Sequence, residues 1–178
     1  MNLDSSKLKL LISEEDIKTK IVGLANKLDL NYQNSEVTIL MILKGSFIFI
    51  ADLIREMKSV VTIDTISATS YGKRGSKKGN LLIEGIDKLD LENKNVLVID
   101  DIFDSGNTMN SIVDKILEKN PKSVKSLTLL LKNTKNRLKN ANLPDFHLFE
   151  IEDKFVIGYG LDYSEYHRNL KSIYYIEN

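Results

Sequence analysis

Val96-Leu-Val-Ile-Asp-Asp-Ile-Phe-Asp-Ser-Gly-Asn-Thr-Met109 is the stretch on which the reading of this chain turns. Val96 to Ile99 is apolar and largely β-branched with no polar alternation, the pattern of a strand buried on both faces. Two carboxylates, Asp100 and Asp101, follow with no turn residue between. An unpaired buried charge is costly, so these acids are expected at an open strand end with partners. Asp104 comes next, then Ser105-Gly106-Asn107-Thr108, which offer hydroxyls, a flexible glycine and free backbone N–H groups. Met109, Ile112, Val113, Ile116 and Leu117 then recur at helical spacing. Strand, acids, glycine loop and helix, in that order, are how α/β proteins hold a phosphate at a helix N-terminus.

The flanking sequence repeats the alternation. Ser13-Glu-Glu-Asp16 reads as a helix start, with a capping serine and acids in the first turn, and the helix is expected to run to about Lys27. Strands are expected at Val37 to Leu43, Val60 to Ser67, Leu81 to Ile86, Val124 to Leu131, about Phe146 to Glu150, Phe155 to Ile157 and Ile173 to Ile176, with a helix over Phe47 to Met57. Strands alternating with helices through Leu131 predict an α/β fold with a mostly parallel sheet flanked by helices. The 178 residues fit one domain.

Composition narrows the class. Lys plus Arg and Asp plus Glu are each 25, so the net charge is zero and nothing global points to nucleic acid or a membrane surface. Cysteine is absent, which removes disulfides and thiolate metal sites and fits a cytoplasmic protein. The N-terminal MNLDSSKLKLLISEED has neither the apolar core nor the cleavage site of a signal peptide. Val37 to Ile54 is the most apolar run, but Lys44, Gly45, Ser46 and Asp52 interrupt it, so a strand and helix meeting at Lys44-Gly45-Ser46 fit better than a membrane span. His147 and His167 are too far apart, and without an i, i+4 partner, to suggest a metal pair.

The loop matches neither G-x-x-x-x-G-K-[ST] nor G-x-G-x-x-G, which disfavours a nucleotide triphosphatase or a dinucleotide enzyme. What is left is a cradle for one phosphate with acids beside it. Carboxylates repel phosphate; they make sense against sugar hydroxyls or against a divalent metal that itself binds the ligand. A phosphorylated sugar meets both conditions. The residues alone leave other choices open. Asp104 reads equally as a general base or a plain helix N-cap. The basic, glycine-rich Tyr71 to Gly79 reads equally as a lid or a hairpin connection. Lys132, Asp162 and Arg168, taken singly, are ordinary surface charges, and Phe155 an ordinary core aromatic.

The quoted stretch resembles the phosphoribosyl-pyrophosphate loop of the type I phosphoribosyltransferases. Leu43-Lys-Gly-Ser46 resembles the pyrophosphate loop of that superfamily's 6-oxopurine branch, and Leu130-Leu-Lys132 its purine-contacting lysine at a strand end. Asp153-Lys-Phe-Val-Ile-Gly-Tyr-Gly-Leu-Asp-Tyr-Ser-Glu-Tyr-His-Arg168 is similar to its C-terminal signature. With the Ser70-Tyr71 loop, the likeness runs from about Leu40 to the chain end. It implies the type I phosphoribosyltransferase fold: one domain over 1–178, a core at about 37–150, and a small hood from the N-terminal segment and about 151–178.

The resemblance implies Mg²⁺-dependent transfer of the phosphoribosyl group from phosphoribosyl pyrophosphate to hypoxanthine, and to guanine, giving IMP or GMP and pyrophosphate. Asp104 would be the base for the purine's imidazole-ring proton. Asp100 and Asp101 would face the ribose diol, directly or through metal, and Asp162 would serve a second magnesium. Ser105, Gly106, Asn107 and Thr108 would hold the 5′-phosphate. Lys44, Gly45 and Arg168 would receive pyrophosphate, with a cis peptide at Leu43–Lys44. Phe155 would stack on the purine, Val156 would offer backbone groups to its edge, and Lys132 would donate to the 6-oxo oxygen. Ser70 and Tyr71 would belong to a lid. Two positions depart from many relatives: Asn107 stands where they carry Lys, and Asp100 where they carry Glu. A homodimer or homotetramer is implied. Two rivals remain at this stage: a phosphoribosyltransferase for another base, and a nucleic-acid-binding regulator on the same fold.

Overall fold

The computed structural model describes residues 7–33, 35–71 and 80–177. A six-stranded sheet runs in the order β4-β3-β2-β5-β6-β7. Its strands are β2 (Val37–Leu43), β3 (Val61–Tyr71), β4 (Asn80–Glu84), β5 (Asn95–Phe103), β6 (Ser123–Asn133) and β7 (Phe146–Glu152). All neighbours are parallel except β3 and β4, which pair antiparallel. Helix α1 (Glu14–Asn31) precedes β2, α2 (Phe47–Glu56) joins β2 to β3, and α3 (Asn107–Leu117) joins β5 to β6. The crossovers from β2 and β5 therefore lead to opposite sides of the sheet. Between those two strands the order reverses, and that is where open α/β sheets bind ligands.

Burial explains the centre. Val96 to Ile99 are fully buried, as are Ile39, Leu40 and Leu127, so the middle strands are apolar on both faces. One cluster on one face gathers Ile17, Ile21, Leu28, Phe49 and Leu53 from α1 and α2. The other gathers Met109, Ile112 and Ile116 from α3 against Val96 and Val98. Among the described residues, no helix is long and apolar enough to cross a membrane.

Several boundaries differ from expectation, each for a local reason. α1 continues past Lys27 to Asn31 because the buried series Ile17, Ile21, Leu24, Ala25 and Leu28 is still running there; the Tyr32 amide then closes on Leu28 O at 2.9 Å. β3 extends to Tyr71 because β4 pairs with its last turn of sequence, Ser67 to Tyr71. β4 stops at Glu84 because Gly85 turns into the left-handed region (φ 100°) and a short 3₁₀ turn, Ile86–Lys88, follows. Most consequential is β5, which does not end before its acids. It stays paired to β6 as far as Phe103 opposite Leu131, while its pairing to β2 stops at Ile99 opposite Met41. The acids lie inside a strand with one open edge, and not at a strand end.

The chain ends meet in a second, antiparallel sheet in the order β1-β9-β8, from β1 (Leu8–Ile12), β8 (Val156–Ile157) and β9 (Ile173–Ile176). β1 was absent from the sequence reading. α1 packs on α2 and β7, so β1 is the N-terminal segment's contribution to this small sheet.

Asp29, near the end of α1, pins the loop into β3. Its carboxylate accepts from the amides of Lys58 and Ser59 at 2.9–3.0 Å and from Ser59 Oγ at 2.7 Å. Burial raises its pKa, but these donors outweigh burial and hold it below the usual carboxylate value. A depressed carboxylate stabilises above its unfolded-state pKa, and the contribution is lost as pH falls through the lower folded value. Asp29→Asn should therefore cost about 1–2 kcal/mol at neutral pH in urea unfolding, with the deficit fading below about pH 4.

Candidate active site

A cavity of about 590 Å³ opens where β2 and β5 part. Three segments form it. The first is the turn after β2. The Leu43–Lys44 peptide is cis, and Ser46 Oγ donates to Ile42 O at 2.5 Å, closing the turn into α2. The second is β5 and the loop to α3, with Asp100, Asp101, Asp104, Ser105, Gly106 and Thr108 all on the cavity wall. The third is the turn after β8, which brings Asp162, Glu165 and Arg168 to the mouth.

Two glycines let the segments close. A Cβ on Gly45 would lie 1.6 Å from Asp101 Oδ2, and a Cβ on Gly160 would lie 2.1 Å from Gly45 O. Gly160 also has φ near +99°, which side chains avoid. The three segments thus touch in series, the Asp101 carboxylate against Gly45 and the Gly45 carbonyl against Gly160.

The acids are unlike one another. Asp100 is 9% exposed, with Oδ1 accepting from the Asp101 amide at 2.9 Å. No cation pairs with it among the described residues, contrary to the expectation of a partnered acid. Burial, followed by the neighbouring Asp101 charge, pushes its carboxyl well above the usual range. Asp101 accepts from the Ile102 amide at 2.9 Å and presents its other oxygen to Gly45. Asp104 is not the helix cap: α3 is capped by Gly106 in the left-handed region (φ 85°), with no side-chain cap bond. Asp104 Oδ1 is buried with no hydrogen-bond partner, and Oδ2 lies 3.8 Å from Lys132 Nζ.

The loop from Asp104 to Thr108 presents an uncapped helix N-terminus. Asn107 opens α3, its amide donating to Ser105 Oγ at 3.3 Å. Apart from that bond no side chain caps the first turn, and its other amides are available to an anion. The segment after β6 braces this loop. Leu138 N–H donates to Ser105 O at 3.0 Å, and Arg137 sits 5.6 Å over the Phe103 ring while donating to Lys132 O.

The remaining residues divide. Arg168 donates to Gly160 O at 2.8 Å and pairs with Asp162 at 2.8 Å and Glu165 at 3.2 Å. Lys44 also pairs with Glu165, at 3.1 Å. Lys132 is not among the residues lining the cavity, but its Nζ lies beside Asp104, which is. Phe155 is 55% exposed, edge-on to Tyr163 at 6.0 Å, and outside the cavity lining. Val156 is buried in β8 opposite Tyr175. The Ile176 amide donates to Phe155 O, so by antiparallel alternation Val156 turns its own amide and carbonyl to the free edge of the small sheet. Ser70 and Tyr71 end β3, whose Ser67, Ala68 and Thr69 line the cavity; the loop expected after them, 72–79, lies outside the described residues. The sequence reading missed Glu165, Asp153 and the β3 wall. Glu165 stood within the quoted C-terminal signature, but nothing local marked it as a partner for Lys44, 121 positions away.

One pair of glycines tests this geometry. Gly23 lies in α1 with nothing within 4 Å of an added Cβ. Gly23→Ala should leave stability unchanged or raise it by up to about 1 kcal/mol. Gly160→Ala should lower it by about 2–3 kcal/mol, a fall of several degrees in melting temperature by calorimetry.

Comparison with known proteins agrees with this geometry. A family model described as the phosphoribosyl transferase domain matches residues 12–164. The hypoxanthine-guanine phosphoribosyltransferase of Aquifex aeolicus is 43% identical over 173 residues, covering 97% of this chain and 96% of that protein. The hypoxanthine-guanine phosphoribosyltransferase of Bacillus subtilis is 38% identical, covering 93% and 91%. The crystal structure of a Staphylococcus aureus hypoxanthine phosphoribosyltransferase superposes with a TM-score of 0.87 at 35% identity, covering 97% of this chain and 93% of that one. With its switch-point cavity, acid-bearing β5 and uncapped α3, this chain belongs to the phosphoribosyltransferase family.

Proposed function

We propose that this protein is a purine-salvage enzyme that transfers the phosphoribosyl group of phosphoribosyl pyrophosphate to hypoxanthine, and also to guanine, releasing pyrophosphate. The carrying observation is Asp104: a carboxylate in the phosphate loop with one buried, unpartnered oxygen and the other facing the Lys132 ammonium. A purine bearing an imidazole N–H and a 6-oxo oxygen offers complementary partners to that pair.

The base attacks the anomeric carbon as the bond to pyrophosphate breaks. The sugar becomes cationic and the leaving group more anionic, so positioning and electrostatics carry the rate. The amides and hydroxyls of Ser105, Gly106, Asn107 and Thr108 hold the 5′-phosphate at the head of α3. With Asn107 in place of lysine, that phosphate relies on backbone donors. Asp100 and Asp101 hold the ribose diol under the oxocarbenium-like centre. Lys44, Gly45 and Arg168 take the pyrophosphate, and Glu165 releases the two cations to it. Asp104 accepts the imidazole proton as the new bond forms. Lys132 donates to the 6-oxo oxygen, which selects against adenine, whose amino group donates there. Val156 offers its free-edge backbone groups to the rest of the purine, and Phe155 swings onto the ring face. Ser70 and Tyr71 belong to a lid that excludes water from the reacting centre.

Mg²⁺ fits this donor set. Among the described residues, no group of three or more His, Asp or Glu side chains could cage a metal. Asp100, Asp101 and Asp162 instead offer a few carboxylate oxygens around a site for phosphates, the way magnesium is commonly bound. The ion would neutralise charge on the pyrophosphate. The protein acts in the cytoplasm as a homodimer or homotetramer, with the chain as one domain.

The test is a spectrophotometric assay with phosphoribosyl pyrophosphate, Mg²⁺ and one base at a time: hypoxanthine, guanine, xanthine, adenine or uracil. Hypoxanthine should turn over and adenine should not, and Asp104→Asn should lower kcat by about a hundredfold or more. Turnover of no base, or an Asp104→Asn variant as fast as the parent, contradicts the proposal.

A further inference from the structure

Lys132 lies between two carboxylates. Its Nζ is 3.8 Å from Asp104 Oδ2 and 3.4 Å from Asp153 Oδ1, and its side chain is only 13% exposed. Asp104 belongs to the phosphate loop. Asp153 sits in the turn between β7 and β8 and has no part in the reaction just described.

Asp153 is held in place. Its Oδ2 accepts from Thr134 Oγ1 at 2.7 Å, and Thr134 Oγ1 in turn accepts from the Asn136 amide at 3.1 Å. The Thr134 hydrogen bond, with help from Lys132, keeps the Asp153 carboxyl below the usual range, so it is anionic at neutral pH. A polar chain thus runs from the Asn136 amide through Thr134, Asp153 and Lys132 to Asp104. The lysine backbone is fixed as well, its carbonyl accepting from Arg137.

We infer that Asp153, oriented by Thr134, is a positioning residue that draws the Lys132 ammonium away from Asp104 and holds it for the 6-oxo oxygen of the purine. The inference rests on the function proposed above, in which Lys132 and Asp104 meet the same base. A mostly buried ammonium with a single carboxylate neighbour closes on it. With Asp153 present, the lysine is shared and stands off at 3.8 Å from Asp104. Without it, Asp104 becomes the nearest remaining anion, and the pair tightens. The lysine then leaves the purine's edge, and the carboxylate that must accept the base's proton is neutralised. Base binding and turnover fall together. The sugar-phosphate end, built from Ser105 to Thr108 and from Lys44 and Gly45, is left as it was.

Steady-state kinetics with hypoxanthine and phosphoribosyl pyrophosphate varied in turn test this on the parent protein and on Asp153→Asn, Thr134→Val and Thr134→Ser. Asp153→Asn should raise the KM for hypoxanthine about tenfold and lower kcat severalfold, with the KM for phosphoribosyl pyrophosphate changed by less than about twofold. Thr134→Val should move the same constants in the same direction. Thr134→Ser, which keeps the hydroxyl, should match the parent. A general weakening of the fold would not produce that split. Parent-like constants in Asp153→Asn, or equal rises in both KM values, overturn the inference while the proposed function stands. A parent protein that does not turn over hypoxanthine overturns both. Should Asp153→Asn fail to fold, the contrast between Thr134→Val and Thr134→Ser decides, and two identical variants overturn the inference.

Discussion

The contact of Gly45 with Asp101 on one side and Gly160 on the other is the constraint on which the site depends. Hydrogen at both Cα positions lets the turn after β2, the acids of β5 and the turn after β8 occupy adjoining space. Any side chain at Gly45 would meet the Asp101 carboxylate, and any at Gly160 would meet a backbone carbonyl. The cavity is what remains when those three segments close and β2 separates from β5 beyond Ile99. A sheet that stayed paired through Asp100 would bury the acids completely and leave nowhere for a ligand. A β5 that ended at Ile99 would lose the β6 pairing that holds those acids in line.

Charge is arranged along the same axis. The β5 end of the cavity is acidic, and Asp100 is buried enough that its carboxyl resists ionising. The α3 end offers helix amides with no side-chain cap. The turns after β2 and β8 carry Lys44 and Arg168, both paired to Glu165. A ligand with a diol at its centre, one phosphate at one end and a denser phosphate at the other is complementary to this order. Exposed ion pairs such as Lys44–Glu165 contribute little and part easily, which suits cations that must transfer to an incoming anion.

Much of this was legible in the sequence because it is local. The periodicity of Val96 to Leu117 gave strand, loop and helix in the right order, and Val37 to Leu43 matched its strand at both ends. Local patterns failed where a neighbour decides the outcome. Asp100 and Asp101 read as the end of a strand, but continued pairing with β6 carries the strand to Phe103. Leu8 to Ile12 lacks a strand's alternation of burial and becomes one through its partner β9 at the other end of the chain. Asp104 could not be told from a helix cap until Gly106 was seen to take that position. The Lys44–Glu165 and Lys132–Asp153 ion pairs join segments far apart in sequence, and no spacing rule reaches them.

The most direct measurement is a crystal structure of the protein with Mg²⁺, a non-reactive analogue of phosphoribosyl pyrophosphate and a hypoxanthine analogue. The 5′-phosphate should lie on the amides of Ser105 to Thr108, the pyrophosphate on Lys44 and Gly45 with Arg168, and the ribose diol over Asp100 and Asp101. The base should sit with its 6-oxo oxygen at hydrogen-bond distance from Lys132 Nζ and its imidazole nitrogen at that distance from Asp104. A base lying out of reach of Lys132 and Asp104, or a 5′-phosphate away from the head of α3, would contradict the account.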